Sequence, residues 1–329
     1  MATSAKQHIF MTGAHGYIGS VITEFAIAEG YTVTGLSRSE TSDAKLRSLV
    51  ATPVRGDIST YDVLTRESAN ADIVIHLAGT WRDHPDNYSE VVREDGLAVD
   101  AIVKGLKGSG KPFLVTSGTL ATAPNPNGGE TSESSPLREK PLNDRIASER
   151  YALSKAAENV NVVAMRLAPY VYGRAGSTIR LLMVFASNSG EVTYVDEGSV
   201  KITTVHVEDA ARAYLLAAKK GRAGEAYNVT YETDVTFRQL SEAMGQVLGL
   251  PVYSRSLEEM VNAGWIEFLV KFISTESRGS NAKAKKELGW EPKGKGILEE
   301  VTLGSYVELA KGLKPAALKE AFVFSSKIS

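Results

Sequence analysis

Thr12-Gly13-Ala14-His15-Gly16-Tyr17-Ile18-Gly19 places glycines where a chain must turn tightly, approach a pyrophosphate, and pack a helix closely on a strand. The segment follows an apolar strand-like run and opens a helical one, so the helix amino terminus would offer unpaired N–H groups to phosphate. Gly13, His15, Gly16, Tyr17, Ile18 and Gly19 are therefore expected to bind a dinucleotide. The second strand decides which one. It ends Gly35-Leu36-Ser37-Arg38-Ser39, with no carboxylate until Glu40. A carboxylate there would hold the ribose hydroxyls of NAD(H), whereas a guanidinium beside a hydroxyl matches a phosphate. Ser37 and Arg38 thus favour NADP(H) over NAD(H). Asp57 and Ile58 close the third strand, where a carboxylate could accept from the adenine amine. Leu77, Ala78 and Gly79 close the fourth, and their small side chains would let backbone lie against the cofactor. His76, between Ile75 and Leu77 on a buried strand, reads as structural. Trp81 and His84 follow it on a segment expected to meet substrate, His84 as a mobile donor. The 5 histidines show no paired spacing and there is no cysteine, so no metal site is expected. No Gly-x-Ser-x-Gly elbow supports a hydrolase.

The elements that must position these groups alternate. Strand-like runs at 8–13, 32–38, 52–57, 72–79, 111–118 and 162–173 are separated by helical patterns at 17–29, 43–50, 61–69, 87–106 and about 143–158. This predicts an α/β fold, a doubly wound parallel sheet with ligands outside the carboxyl ends of its strands. A smaller C-terminal substrate-binding α/β region is expected over 174–329, after a dinucleotide-binding domain over 1–173, with strands returning to the main sheet. There, 179–186, 208–220 and 237–248 read as helices, 192–207 as a hairpin and 225–230 as a strand. An amphipathic stretch at 257–272 carries an exposed-looking Trp265, and 316–329 reads as a final helix. The Pro/Gly/Ser/Asn-rich segment 123–136 reads as a substrate-covering loop.

TGAHGYIG at 12–19, GDI at 56–58, HLAG at 76–79, PYVYG at 169–173, VHVEDAARA at 205–213 and AKKELGWEP at 284–292 together resemble the extended short-chain dehydrogenase/reductases, the NAD-dependent epimerase/dehydratase-like group. The resemblance spans nearly the whole chain. It implies a Rossmann-type cofactor domain and catalysis beside the nicotinamide by a Ser/Thr, a Tyr and a Lys, the last two as Tyr-x-x-x-Lys. That spacing occurs at Tyr151 and Lys155. Chain length argues against it. Descending beside a strand of ~20 Å takes ~13 helical residues, and the next strand begins near Val162. Tyr151 and Lys155 then lie well below the nicotinamide and serve only if the ordinary motif holds. The family commonly carries a glutamate four residues after its lysine. Registering Glu149 on that position, against Arg166 of the next strand, puts Arg145 at the lysine position and Pro141 at the tyrosine position. The chain is thus expected to be an atypical member without the pair. The resemblance leaves either Ser117 or Thr119 to hold a substrate carbonyl, Tyr170 or Tyr172 to replace the proton donor, and Arg145 to place charge near the oxyanion. Thr116 and Pro169 would border the cofactor, and His206 the substrate cleft.

The chain has 329 residues, 43% of them hydrophobic, and its 37 basic and 39 acidic side chains give net charge −2. That removes the footprint of a nucleic-acid binder or polybasic membrane binder. No apolar run could span a membrane, and a polar start leading straight into a strand predicts no secretory signal. The absence of cysteine fits a cytoplasmic enzyme acting on a small molecule, with room for a homodimer. The reading is an NADP(H)-dependent oxidoreductase reducing a carbonyl or oxidising an alcohol. The alternatives are a non-redox isomerase, cyclase or dehydratase, and an NADP(H)-sensing binding protein.

Overall fold

Short apolar runs between amphipathic helices can bury both strand faces only in a parallel sheet covered by helices on each side. The computed structural model describes residues 6–81, 83–84 and 87–313. The first part runs β1 (His8–Thr12), α1 (Tyr17–Ala28), β2 (Thr32–Ser37), α2 (Glu40–Ser48), β3 (Thr52–Arg55), α3 (Tyr61–Asn70), β4 (Ile73–His76), α4 (Tyr88–Leu106), β5 (Pro112–Gly118), α5 (Arg145–Ser154) and β6 (Asn161–Leu167). Beyond it lie β7 (Tyr170–Tyr172), α6 (Ser177–Ser189), β8 (Val192–Val195), β9 (Lys201–Ile202), β10 (Thr204–His206), α7 (Val207–Lys220), β11 (Ala226–Val229), β12 (Val235–Thr236), α8 (Phe237–Leu248), β13 (Val252–Arg255), α9 (Leu257–Asn262), α10 (Glu267–Ile273), α11 (Ile297–Leu303) and α12 (Ser305–Gly312).

Seven strands form one sheet in the order β11-β6-β5-β4-β1-β2-β3, and every pairing in it is parallel. Successive residues of β1 face opposite ways. Ile9 and Met11 enter a core shared with α1 and α7, while Phe10 enters one shared with α3 and α4. A further core gathers α6, α8, α10 and α11 around Tyr170 and Tyr172.

Three sequence expectations are corrected here. The run at 162–173 is not one strand, because Pro169 has no N–H to continue the ladder. The chain leaves the sheet there, and β7 pairs with β10 instead. The segment 192–207 is not a hairpin, since β8 pairs with β13, β9 with β12 and β10 with β7. The stretch 257–272 is two helices broken at Gly264, and Trp265 is half-buried, edge-on to Phe185 at 5.7 Å. From beyond residue 173, β11 returns to the main sheet beside β6, and α7 packs against α1 in its layer. The expected helix at 316–329 lies outside the described residues. Among the described residues no helix is long and apolar enough to cross a membrane.

Candidate active site

Strand order reverses between β1 and β4, and the carboxyl ends there open onto a groove of about 690 Å³. Gly13 has φ +71°, and a Cβ on it would lie 3.1 Å from the Ala78 nitrogen. A Cβ on Gly19 would stand 2.1 Å from the Gly13 carbonyl oxygen, so only glycine lets α1 begin this close to the strand. Gly16 precedes α1 without a side-chain cap, and no acid lies in the first turn. The terminal N–H groups therefore remain available, with the helix dipole unopposed. These residues fit a pyrophosphate.

Arg38 lies along one side of the groove, mostly exposed, with Nη1 3.7 Å from an Asp83 carboxylate oxygen. His15 is beside it with a buried, unpartnered Nδ1, and burial together with the charges of Lys45 and Arg38 holds its pKa below the ordinary 6.5. Arg38 and Lys45 bring positive charge to this end of the groove, with the Asp83 carboxylate beside Arg38. Ser37 does not share this end, which corrects the sequence reading: the residue is fully buried, and its hydroxyl donates to the Ser39 carbonyl at 3.1 Å. Asp57, Ile58, Leu77, Ala78 and Gly79 line the groove as expected of the third and fourth strand ends. Bonds from the Ser59 hydroxyl and N–H and from the Thr60 hydroxyl outweigh burial and keep the Asp57 carboxyl below its usual range. Trp81 and His84 stand at the rim. His84 Nε2 is 3.2 Å from Glu94, and with Glu90 these groups could surround a cation; Glu90 is already paired with Arg93.

The groove continues into a cavity of about 230 Å³, and Ser117, Arg145 and Leu167 line both. The two hydroxyls left open by the sequence separate here. Thr119 Oγ1 has a partner in Ser277 Oγ at 3.3 Å, whereas Ser117 Oγ is buried with no hydrogen-bond partner among the described residues. Arg145 is the first residue of α5, and its Nη2 donates to the Thr116 carbonyl at 2.9 Å. Behind it, Thr12 Oγ1 lies 2.7 Å from His76 Nδ1, and His76 Nε2 lies 3.1 Å from Asp95. Thr12 also accepts from the Leu77 and Ala78 N–H groups, so its own proton goes to His76 Nδ1 and the Nε2–H donates to Asp95. Burial would raise the Asp95 carboxyl, but the hydrogen bond from His76, the charge of Arg145 and the Ser148 hydroxyl hold it below its ordinary 3.8. Asp95, which sequence reasoning missed, holds His76 in place behind the site. Thr116 Oγ1 donates to the His76 carbonyl and meets the Tyr214 hydroxyl at 2.7 Å.

Tyr151 and Lys155 lie elsewhere. The Tyr151 hydroxyl donates to Asp100 of α4 at 2.7 Å, and Lys155 Nζ is 2.6 Å from the same carboxylate. Neither lines the groove or the cavity. Arg166 grips Glu149 through Nε and Nη2, at 2.9 and 2.7 Å, in the pairing that the registration on Glu149 anticipates. The tyrosines after β6 are corrected. Tyr170 is buried against Phe272 and Phe237, and Tyr172 donates to the Lys295 carbonyl at 2.5 Å. Burial pushes both phenols up, which makes them poor acids as well as misplaced ones. Alternation explains the miss: Pro169 and Val171 face the cavity, so residues 170 and 172 face the other way. His206 is also corrected. It caps α7 and packs edge-on against Tyr172, outside both spaces. The loop 123–136 covers neither space. Glu133 holds it to the sheet edge, accepting from Asn228 N–H and, through its carbonyl, from Arg166. Pro141, Leu142 and Asn143 wall the cavity instead, with Phe268 and Phe272, an i, i+4 aromatic pair on α10 that helical spacing could have revealed.

A doubly wound sheet with a glycine cradle at its switch point defines a dinucleotide-binding enzyme fold. The model of the NAD dependent epimerase/dehydratase family matches residues 9–230, and the chain belongs to that family, whose members bind nicotinamide cofactors. The chain is 32% identical over 296 residues to an uncharacterized protein of Saccharomyces cerevisiae, covering 89% of this chain and 97% of that one. It is 26% identical over 283 residues to a 2-alkyl-3-oxoalkanoate reductase of Shewanella oneidensis, covering 79% and 71%. A dTDP-glucose 4,6-dehydratase of Streptomyces venezuelae, solved with NAD bound, superposes with TM-score 0.73 at 20% identity, over 93% of this chain and 97% of that one. The last likeness shows fold alone.

Proposed function

We propose that the protein is an NADP(H)-dependent oxidoreductase that reduces the carbonyl of a small organic molecule, or runs the reverse oxidation. The observation that carries this reading is the buried, unpartnered Ser117 hydroxyl beside Arg145, where the cofactor groove meets the cavity. A bound reduced nicotinamide supplies hydride to a carbonyl carbon. Ser117 donates a hydrogen bond to the carbonyl oxygen, and Arg145, held by the Thr116 carbonyl, stabilises the negative charge that develops there. The alcohol oxygen takes its proton through Ser117 from water. Arg38 and the positive end of the groove would hold a 2′-phosphate, and a reductase among the relatives supports the redox reading.

The test is NADPH oxidation with small ketones and aldehydes. Ser117→Ala should lower kcat by roughly 10²–10⁴, the range for a lost proton-transfer group. Tyr151→Phe should leave kcat within about threefold, since its hydroxyl bonds Asp100 outside the site. A large loss in Tyr151→Phe at unchanged Tm would restore a tyrosine mechanism. The absence of tyrosine and lysine from the described cavity lining favours a second reading, a non-redox isomerase, cyclase or dehydratase. Product formation without net NADPH consumption would identify it.

A further inference from the structure

The cavity beyond the nicotinamide end has a composition that selects its ligand. Its wall comes from Leu120, Leu142, Pro169, Val171, Phe268 and Phe272 among others, and among the described residues neither Asp, Glu, Lys nor His lines it. Its polar groups are Ser117, Thr119, Asn143 and Arg145. Thr119 is occupied by Ser277, and one Arg145 N–H is bound to a backbone carbonyl. The polar capacity that remains, the Ser117 hydroxyl, the Asn143 amide N–H groups and the other N–H groups of Arg145, occupies a small part of a wall that is otherwise apolar. A sugar ring brings several hydroxyls, each of which loses water on entry and needs a partner. A diphosphate needs several cations, and the described lining residues offer one, Arg145. Size gives a second limit. Pockets for drug-sized ligands hold ~300–1,000 Å³, and a dry cavity of ~150 Å³ accepts benzene. A volume of about 230 Å³ suits a body on the order of ten non-hydrogen atoms.

We infer that the cavity takes a compact, uncharged, apolar ketone or aldehyde, with its single oxygen at Ser117 and its hydrocarbon body against Phe268 and Phe272. This rests on the reductase reading for its chemistry but not for its binding. Phe268, 50% exposed on α10, is the accessible part of that wall.

The test measures equilibrium binding to the NADP⁺-loaded protein of benzylacetone, of phenylpyruvate (a charged keto acid of similar size) and of UDP-glucose. Benzylacetone should bind at least tenfold more tightly than either of the others. Phe268→Asp should weaken it at least tenfold while leaving NADP⁺ affinity and Tm unchanged. Should that variant lose its fold, Phe268→Ser carries the same expectation. Tighter or equal binding of phenylpyruvate or UDP-glucose, no binding of benzylacetone, or indifference to the Phe268 change would each overturn the inference. NADPH oxidation followed in parallel separates the two claims. Benzylacetone binding without oxidation under any condition sinks the reductase reading alone, whereas oxidation with phenylpyruvate in preference to benzylacetone sinks the substrate class alone.

Discussion

At the end of β2, Arg38 is the side chain that would distinguish the cofactors. It is exposed and its Asp83 partner is 3.7 Å away, so the pair itself contributes little and the guanidinium can turn to a phosphate. Arg38→Ala should therefore weaken NADPH by ~1.5–3 kcal/mol and leave NADH nearly unchanged, as measured by titrating each cofactor. Equal affinity of the unmodified protein for both would refute this. Ser37 shows what a sequence cannot convey at this scale. Its neighbour Leu36 lines the groove, and alternation turns the serine into the protein, where its hydroxyl finds the Ser39 carbonyl. Residue type suggested phosphate; strand parity decided otherwise. Ser117 and Thr119 show the same limit, because only the position of Ser277, far along the chain, settles which hydroxyl has a partner.

Helix α5 is the element on which the site depends. It begins at Arg145, level with the end of β5, and Glu149 one turn later locks it to β6 through Arg166. Both partners of that ion pair are buried, so removing one leaves an uncompensated charge. Glu149→Ala should cost about 3–5 kcal/mol, read as a lower midpoint in denaturant, and should reduce kcat because Arg145 loses its anchor. Retention of wild-type stability would refute the anchoring role. This element was largely legible. The length of chain before the next strand, through fixed rises per residue, and the glutamate spacing that the family resemblance implies suffice together to set where the helix starts. The strands and helices up to β6 were legible for the same reason, through their periodicity. The chain beyond β6 was far less so. The direction of β7 depends on β10, and β13 depends on β8, so pairing with distant partners, rather than local pattern, decides them. The wall of the cavity comes from α10 and from residues 141–143; the Phe268 and Phe272 spacing marks a helical face, but the fold alone brings that face to the site.

For the whole molecule, the governing fact is that β11 completes the sheet on the far side of β6 while α7 covers α1. A fragment ending at residue 173 should consequently fail to fold alone, giving a broad urea transition or insoluble protein, whereas a fragment ending at 313 should retain a cooperative one. A sharp transition from the shorter fragment would show that the sheet needs no completion. The same arrangement has a consequence for synthesis on the ribosome. The edge of β6, a row of unpaired backbone N–H and C=O groups, emerges about sixty residues before the strand that covers it, and at ~5–20 residues per second that edge stays bare for several seconds. During that interval each nascent chain carries an open parallel strand, the kind of surface that joins neighbouring chains. Rapid translation of residues 168–225, or a chaperone that holds the nascent edge, should therefore govern the yield of native protein more than any property of the finished fold.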